Sequence, residues 1–192
     1  RSSSRITMGG TCFLFEEDTE NAAPEGQQTT LKKTAGPPCT DNFQIKNFTF
    51  EGKQWQSVEQ CYQAMKYIDD EKQDIIRNCL PYEMESERQY GCRVWQLGQY
   101  RAPERLEWEK VKVDYMYQIN VAKYLAYPDL QKELLATGEK LIMGAPSTAD
   151  WKTYNGLIQT RIRKEISQGI LGKETLSGAA LDAALKEAMV VW

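Results

Sequence analysis

The sequence predicts a mainly α-helical domain with a small β component, an α+β fold. Apolar residues recur at helical spacing in long segments, most clearly in 57–67 and 105–127. Short β-prone runs lie at 11–15 and 140–143. The chain has 192 residues, of which 41% are hydrophobic, and this is enough for one sizeable core. We therefore expect a single domain.

The beginning of the chain carries little predicted core. Residues 1–10 are small and polar, and we expect them to be disordered. Residues 16–39 are rich in Gly, Pro, Thr and charged side chains, which indicates a loop or a mobile insertion. The turn signal at Glu51-Gly52 then predicts a small hairpin that leads the chain to Ser57.

The segment from Ser57 to Tyr67 is the best-marked helix. Ser57 and Gln60 match a capping box, in which each side chain satisfies a backbone N–H that the helix leaves unpaired. One apolar face follows at helical spacing, formed by Val58, Cys61, Tyr62 and Met65.

Helices are predicted along most of the remaining chain. One begins near Asp69 and ends before Pro81, because proline breaks a helix interior. A further helix or turn is expected over 84–97, and the apolar pattern that begins at Arg105 continues to about Tyr127.

The last third of the chain shows the same signals. Pro128 restarts a helix, which Gly138 ends as a glycine C-cap. The pattern over 151–168 is helical and closes the domain, which we place at 11–168. Residues 169–192 predict a C-terminal helical tail that either packs back on the domain or protrudes.

Composition excludes several kinds of catalysis. The chain contains no histidine, so Ser-His-Asp and Cys-His chemistry and all His-ligated metal sites are excluded. Acid–base work must come from Glu, Asp, Lys, Tyr or Cys. The five cysteines show no metal-ligand spacing and no disulfide framework, so we expect reduced thiols. We predict neither a metal nor a cofactor.

Charge and hydropathy limit the partners. The net charge of −3 argues against a broad nucleic-acid-binding surface but allows a local basic cleft. No apolar run approaches the roughly 18 residues of a membrane span, and the chain does not open with a signal-peptide pattern. We expect an intracellular protein, cytoplasmic or nuclear, with no membrane partner.

A second face of the 57–67 helix is polar. Glu59, Gln63 and Lys66 lie at i, i+4 and i+7, so a carboxylate, an amide and an ammonium share one side over about two turns. Glu59 also lies in the first turn, where the helix dipole favours its ionised form. Such a face is either solvated, as charged helix faces usually are, or part of a site that stabilises positive charge.

Short motifs surround this helix in a fixed order. From residue 42 to residue 66 they follow without a gap as Asn42-Phe43, 50–55, 57–59 and 62–66. Later ones are Arg105 and Trp108 with Val111-Lys112, then 134–138, Asn155-Gly156 and 161–163. Together these motifs resemble the signature of the NADAR family, named for NAD and ADP-ribose, which includes the YbiA-like riboflavin-intermediate N-glycosidases. The similarity extends from Phe13 to about Ile166.

The resemblance implies a single YbiA-like domain that cleaves an N-glycosidic bond. Family activities act between ribose phosphate and a pyrimidine in riboflavin precursors, or between ADP-ribose and a modified guanine. We favour removal of ADP-ribose from guanine, which makes ADP-ribose, or ADP-ribosylated guanine in nucleic acid or a nucleotide, the expected partner. The sequence does not indicate the oligomeric state.

The chemistry of this reaction selects candidate residues. N-glycoside cleavage passes through an oxocarbenium-like state that an ionised carboxylate stabilises, a role that suits Glu59. Lys66 can protonate or hold phosphate oxygens, or attack an opened sugar aldehyde. We expect the substrate-binding residues to converge with these two on one cleft: Asn42, Phe43, Tyr62, Gln63, Arg105, Trp108, Asp150, Trp151 and Asn155.

One departure from the family pattern concerns a second carboxylate. Members similar to this chain place a Glu after the Thr-Gly turn and then an Asp-x-x-Trp-Gly motif. Here Met143-Gly144 occupies the Glu region, and Asp150 replaces the Asp only if the loop shifts its register. Two alternatives therefore stay open: a non-catalytic ADP-ribose or nucleotide reader, and a riboflavin-intermediate hydrolase.

Overall fold

Helices dominate the computed structural model, which describes residues 12–17, 31–99, 103–145 and 149–189. The α+β prediction is confirmed, whereas the predicted disorder of 1–10 lies outside the described residues. The strands are β1 Cys12–Glu17, β2 Leu31–Ala35, β3 Phe48–Phe50, β4 Lys53–Trp55 and β5 Leu141–Gly144. The helices are α1 Val58–Ala64, α2 Asp70–Arg77, α3 Glu87–Gly98, α4 Trp108–Ala126, α5 Pro128–Leu135, α6 Ala149–Ser167 and α7 Gly178–Met189.

Three strands form an antiparallel sheet in the order β2-β1-β5. Leu14 is opposite Ile142 on one side and Thr34 on the other. The prediction of a loop over 16–39 is wrong for 16–17, which end β1, while residues 18–30 lie outside the described residues. It is also wrong for 31–35, which form β2. Sequence pattern missed this strand because it lies at the sheet edge with mostly exposed side chains, so no alternation of buried residues marks it.

The predicted hairpin is confirmed as β3 and β4. Thr49 pairs with Gln54 across the turn, and Glu51 and Gly52 both have positive φ, at 49° and 73°. Two successive positive φ values match the twist of a two-residue hairpin turn. The hairpin buries Trp55 and delivers the chain to the start of α1.

Helix α1 lies in the centre of the domain, packed against α2, α3 and α4, with every residue buried. Ser57 Oγ accepts from the Gln60 backbone N–H at 3.1 Å, as predicted. Gln60 departs from the capping box, because its Oε1 accepts from the Gln56 N–H at 2.7 Å. Its Nε2 lies 2.9 to 3.0 Å from three carbonyl oxygens at and just after the end of α2, so its two N–H groups tie α1 to α2.

Helix α6 packs closely on β5 because glycine stands at two contact points. A Cβ on Gly156 would lie 2.1 Å from the Ile142 carbonyl oxygen, and one on Gly144 would lie 2.8 Å from the Trp151 carbonyl oxygen. This approach places the N-terminal half of α6 beside α1. The tail packs back through α7, whose Leu181 is fully buried. Within the described ranges, no helix has both the length and the apolar character needed to cross a membrane.

Candidate active site

The polar face of α1 is buried. Glu59 is 7% exposed, Gln63 is 2% exposed, and Lys66, in the turn that follows the helix, is 7% exposed. The alternative of a solvated face is therefore wrong. Burying a carboxylate and an ammonium costs free energy, and proteins tolerate this cost mainly where the groups are paired or used.

Neighbouring elements hold this face in place. The Glu59 backbone N–H donates to the Asn42 carbonyl at 2.9 Å, and the Lys66 carbonyl accepts from the Arg105 N–H at 3.0 Å. Helix α3 approaches at Gly98, where a Cβ would lie only 1.9 Å from Gln63 Oε1. The absence of a side chain at Gly98 thus makes room for Gln63.

Burial raises the pKa of Glu59 to about 7. Two influences oppose this rise: the hydrogen bond that Gln63 Nε2 donates to Glu59 Oε1 at 2.7 Å, and the positive charge of Lys66. The expectation that the helix start fully ionises Glu59 at neutral pH is corrected, because the loss of solvation outweighs the favourable helix terminus and raises its pKa to about 7. A carboxyl group with this pKa exchanges its proton near neutral pH.

Burial also shifts the pKa of Lys66, the basic residue on the same face. The pKa of Lys66 is lowered by desolvation, against the charges of Glu59 and Glu109, which raise it. Lys66 Nζ donates to the Gly98 carbonyl at 3.4 Å, a long hydrogen bond. The pKa values of Glu59 and Lys66 thus move toward each other, which suits proton transfer at one site.

Aromatic rings from three helices meet beside this pair. The Tyr62 ring lies 5.2 Å from that of Trp108 and 5.4 Å from that of Trp151, the latter edge-on. Trp108 stacks on Tyr115 at 5.8 Å, and the Arg105 guanidinium lies 5.0 Å from the Tyr115 ring. The structure therefore brings residues of α1, α4 and α6 together.

Side-chain amides form a second buried contact. Asn42 Nδ2 donates to Asn155 Oδ1, and Asn120 Nδ2 donates to Asn42 Oδ1, both at 3.3 Å. Gln159 Nε2 donates to Asn120 Oδ1 at 3.1 Å. Sequence reasoning missed Asn120 and Gln159, since a single amide within a helix carries no distinguishing local pattern.

Two predicted residues lie apart from this buried face. The Phe43 ring packs on α3, where a Cβ on Gly91 would lie 2.2 Å from its Cγ. The Asp150 side chain is 66% exposed, with one oxygen 3.7 Å from Lys112 Nζ. Neither residue contacts Glu59 or Lys66 through a described hydrogen bond or ion pair.

One carboxylate near the site was not predicted. Glu109 follows Trp108 in the first turn of α4, and its charge acts on both Lys66 and Tyr62. Its position next to a candidate tryptophan was the available signal. In the described part of the chain, no three His, Cys, Asp or Glu side chains form a group that could hold a metal ion.

Comparison with known proteins agrees with this architecture. The family model described as NADAR domain matches residues 21–165, more than half of the chain. The solved structure of the Escherichia coli protein YbiA superposes with a TM-score of 0.57 at 23% identity, covering 70% of this chain and 80% of that one. At this identity the superposition shows a shared fold.

Two curated relatives are named N-glycosidases. One, from Nostoc punctiforme, is 27% identical over 116 residues, which are 59% of this chain and 70% of that protein. The other, N-glycosidase YbiA of Escherichia coli, is 30% identical over 112 residues, which are 57% of this chain and 64% of that protein.

Proposed function

The chain belongs to the NADAR domain family, and from this membership and the buried pair Glu59 and Lys66 we propose that it is an N-glycosidase. The proposed reaction hydrolyses the N-glycosidic bond of an ADP-ribosyl or ribosyl-phosphate substrate. We assign as substrate ADP-ribose attached to guanine, in nucleic acid or in a nucleotide. The observation that carries the proposal is the burial of the Glu59 carboxyl and the Lys66 ammonium on one helix face beside the aromatic rings, and this burial raises the pKa of Glu59 to about 7.

In this reaction, a water molecule attacks the anomeric carbon as the C–N bond breaks. The electron pair of that bond leaves with the base, and positive charge develops on the sugar. Ionised Glu59 accepts the proton of the attacking water and stabilises the charge. Lys66, whose pKa burial lowers, donates a proton to the departing base.

The surrounding side chains fit a nucleotide. Trp151 is half-buried and offers aromatic surface on which a base can stack, since every base has an aromatic face, while the buried rings of Tyr62 and Trp108 support it. Asn155, whose amide oxygen is held by Asn42, supplies an amide nitrogen that suits a ribose hydroxyl. Both kinds of contact position the sugar carbon relative to Glu59, as catalysis by proximity requires.

One observation favours a second candidate, a reader that binds ADP-ribose without turnover. Asp150, the residue closest in sequence to the family's second carboxylate, is exposed and near Lys112. A site with Glu59 as its single buried carboxylate could retain binding while lacking an acid–base partner. In the N-glycosidase proposal, Lys66 takes the partner's place.

The test is incubation with an oligonucleotide that carries ADP-ribose on guanine, with chromatography of the products. Released ADP-ribose together with unmodified oligonucleotide supports the N-glycosidase, provided that Glu59→Gln protein releases none above background. Calorimetric binding of ADP-ribose with no release identifies the reader. Release of the pyrimidine from a riboflavin precursor, with the oligonucleotide left intact, assigns the substrate of the YbiA-like enzymes instead.

A further inference from the structure

We infer that Asn120 fixes the orientation of the Asn155 amide, so that the site presents an N–H donor, and not a carbonyl, to an oxygen atom of the substrate. Asn120 is thus a positioning residue. It is 1% exposed and lies on α4, whereas Glu59 lies on α1 and Asn155 on α6. The inference rests on the proposed function only for the identity of the ligand.

The amides are joined by hydrogen bonds that run in one direction. Gln159 Nε2 donates to Asn120 Oδ1 at 3.1 Å, and Asn120 Nδ2 donates to Asn42 Oδ1 at 3.3 Å. Asn42 Nδ2 then donates to Asn155 Oδ1 at 3.3 Å. Gln159, Asn120 and Asn42 each donate from the nitrogen to the oxygen of the next amide, so reversing one of them would place like atoms opposite each other at its neighbours.

A backbone carbonyl sets this direction. The Asn120 side-chain atom that faces Asn42 also lies 2.9 Å from the carbonyl oxygen of Met116, one turn earlier in α4. A carbonyl oxygen accepts and never donates, so this atom must be Nδ2. Because Nδ2 faces Asn42, the Asn42 oxygen must face Asn120, and the Asn42 nitrogen must face Asn155.

The far end of the chain of amides does not set the direction. Gln159 Oε1 lies 2.7 Å from the Tyr124 hydroxyl, which also lies 2.9 Å from the Cys39 carbonyl oxygen. The hydroxyl has one proton, so it either donates that proton to Gln159 or donates it to Cys39 and accepts from Gln159. Either amide orientation of Gln159 therefore suits Tyr124. The orientation of the Gln159 amide is therefore set by Asn120. Removing the Gln159 amide leaves the contact between Asn120 and Met116 intact.

The near end of the chain is a donor at the candidate site. With its oxygen engaged by Asn42, Asn155 has its nitrogen left to donate, and no described residue accepts a hydrogen bond from it. Asn155 is 7% exposed and lies one turn after Trp151 on α6. This nitrogen is not among the buried side-chain atoms that lack a partner, so it is open to solvent and can donate to a ligand oxygen, such as a hydroxyl or a phosphate oxygen.

The experiment compares two nearly isosteric substitutions in the full chain. Asn120→Leu removes the contact that sets the direction, and Gln159→Met removes an equally buried amide that does not set it. We expect Asn120→Leu to weaken ADP-ribose binding about tenfold, the worth of one buried hydrogen bond. Gln159→Met should change it less than about threefold, with any loss of stability recorded by urea unfolding.

Side-chain amide NMR supplies a readout that depends neither on turnover nor on the folding of the Asn120→Leu variant. In the free wild-type protein, the Asn42 and Asn120 NH2 groups should exchange slowly and the Asn155 NH2 group quickly, with Asn155→Asp identifying the last signal. Added ADP-ribose should shift and protect the Asn155 NH2 group.

Three results would each overturn the inference. They are protection of the Asn155 NH2 group in the free protein, no response of that group to ADP-ribose, and an equal loss of ADP-ribose affinity in Asn120→Leu and Gln159→Met. Absent turnover with these amide signals intact would refute the proposed hydrolysis and leave the inference standing.

Discussion

Two buried glutamates of this domain differ in their partners. Glu165 on α6 is 4% exposed, and its Oε1 accepts from Arg161 Nε and from the Tyr117 hydroxyl, both at 2.7 Å. Glu59 on α1 is 7% exposed, and its Oε1 accepts from a neutral amide, that of Gln63. Among the described residues, Glu59 forms no ion pair.

The difference separates a structural carboxylate from one that is available for chemistry. The Arg161 guanidinium on the same helix neutralises the Glu165 carboxylate, and the hydrogen bond from the Tyr117 hydroxyl to Glu165 joins α4 to α6. No such neighbour compensates Glu59, and burial raises its pKa to about 7. Equal burial therefore does not mean equal function, because the partner decides what the burial does to the charge.

The largest expected effect tests this division directly. Glu59→Gln should lower kcat by ~10²–10³-fold, because the amide preserves shape but neither takes a proton nor carries charge. Glu165→Gln should leave turnover per folded molecule unchanged. Steady-state kinetics on both variants, with melting temperatures, is the measurement. Wild-type kcat in Glu59→Gln would remove Glu59 from the mechanism.

The raised pKa of Glu59 also predicts a pH dependence. If the ionised form is the base, kcat rises with pH around a midpoint near 7, and this limb disappears in Glu59→Gln. The folded pKa lies above the ordinary value of 4.5, so the folded state holds an extra proton between these two pH values. Stability from this group is therefore present below about pH 4.5 and lost as the pH rises through 7.

The raised pKa of Glu59 also predicts how the stability of Glu59→Gln, relative to wild type, changes with pH. Relative to wild type, Glu59→Gln should gain stability as the pH rises from about 4.5 to 7, by up to roughly 3 kcal/mol. Urea unfolding of both proteins across this range measures the gain. A difference that does not change with pH would show that Glu59 has an ordinary pKa.

A smaller effect is expected at the structural carboxylate. Glu165→Gln keeps an acceptor for Tyr117 but leaves the Arg161 guanidinium without its countercharge, which should cost about 1–3 kcal/mol of unfolding free energy. Arg161→Met should destabilise by removing the other partner. Urea unfolding checks both, and a double variant less destabilised than the sum confirms the coupling. Unchanged stability in Glu165→Gln would mean that the pair contributes nothing.

The smallest expected effect concerns the hydrogen bond between Gln63 and Glu59. Two glycines of α3 serve as a matched pair to test it. In Gly98→Ala the new Cβ meets Gln63, and in Gly91→Ala it meets the Phe43 ring, so both should destabilise by about 1–3 kcal/mol. Gly98→Ala alone should displace Gln63 from Glu59. Because that hydrogen bond lowers the pKa of Glu59, the midpoint of the kcat profile should move to higher pH in Gly98→Ala only. Equal midpoints in the two variants would show that Gln63 does not affect the pKa of Glu59.

Local chemistry explains what could be predicted from the sequence. Ser57 predicted the start of α1, Glu51-Gly52 predicted the hairpin, and Pro128 predicted the restart of a helix, because each acts on backbone groups within a few residues. The motifs around Glu59 pointed to the family by the same kind of short-range pattern. Strand β2 was not predicted, because an exposed edge strand is defined by its pairing with the backbone of the neighbouring strand and not by a pattern of its own side chains.

Tertiary structure alone decided the properties of the candidate site. The spacing of Glu59, Gln63 and Lys66 is the same on a solvated helix and on a buried one, and only the packing of α3 and α4 over α1 excludes solvent from this face. That exclusion raises the pKa of Glu59, which position in the helix alone would have lowered. Likewise, Asn42, Asn120 and Asn155 are far apart in sequence, and their hydrogen bonds exist only because three segments pack together at that point.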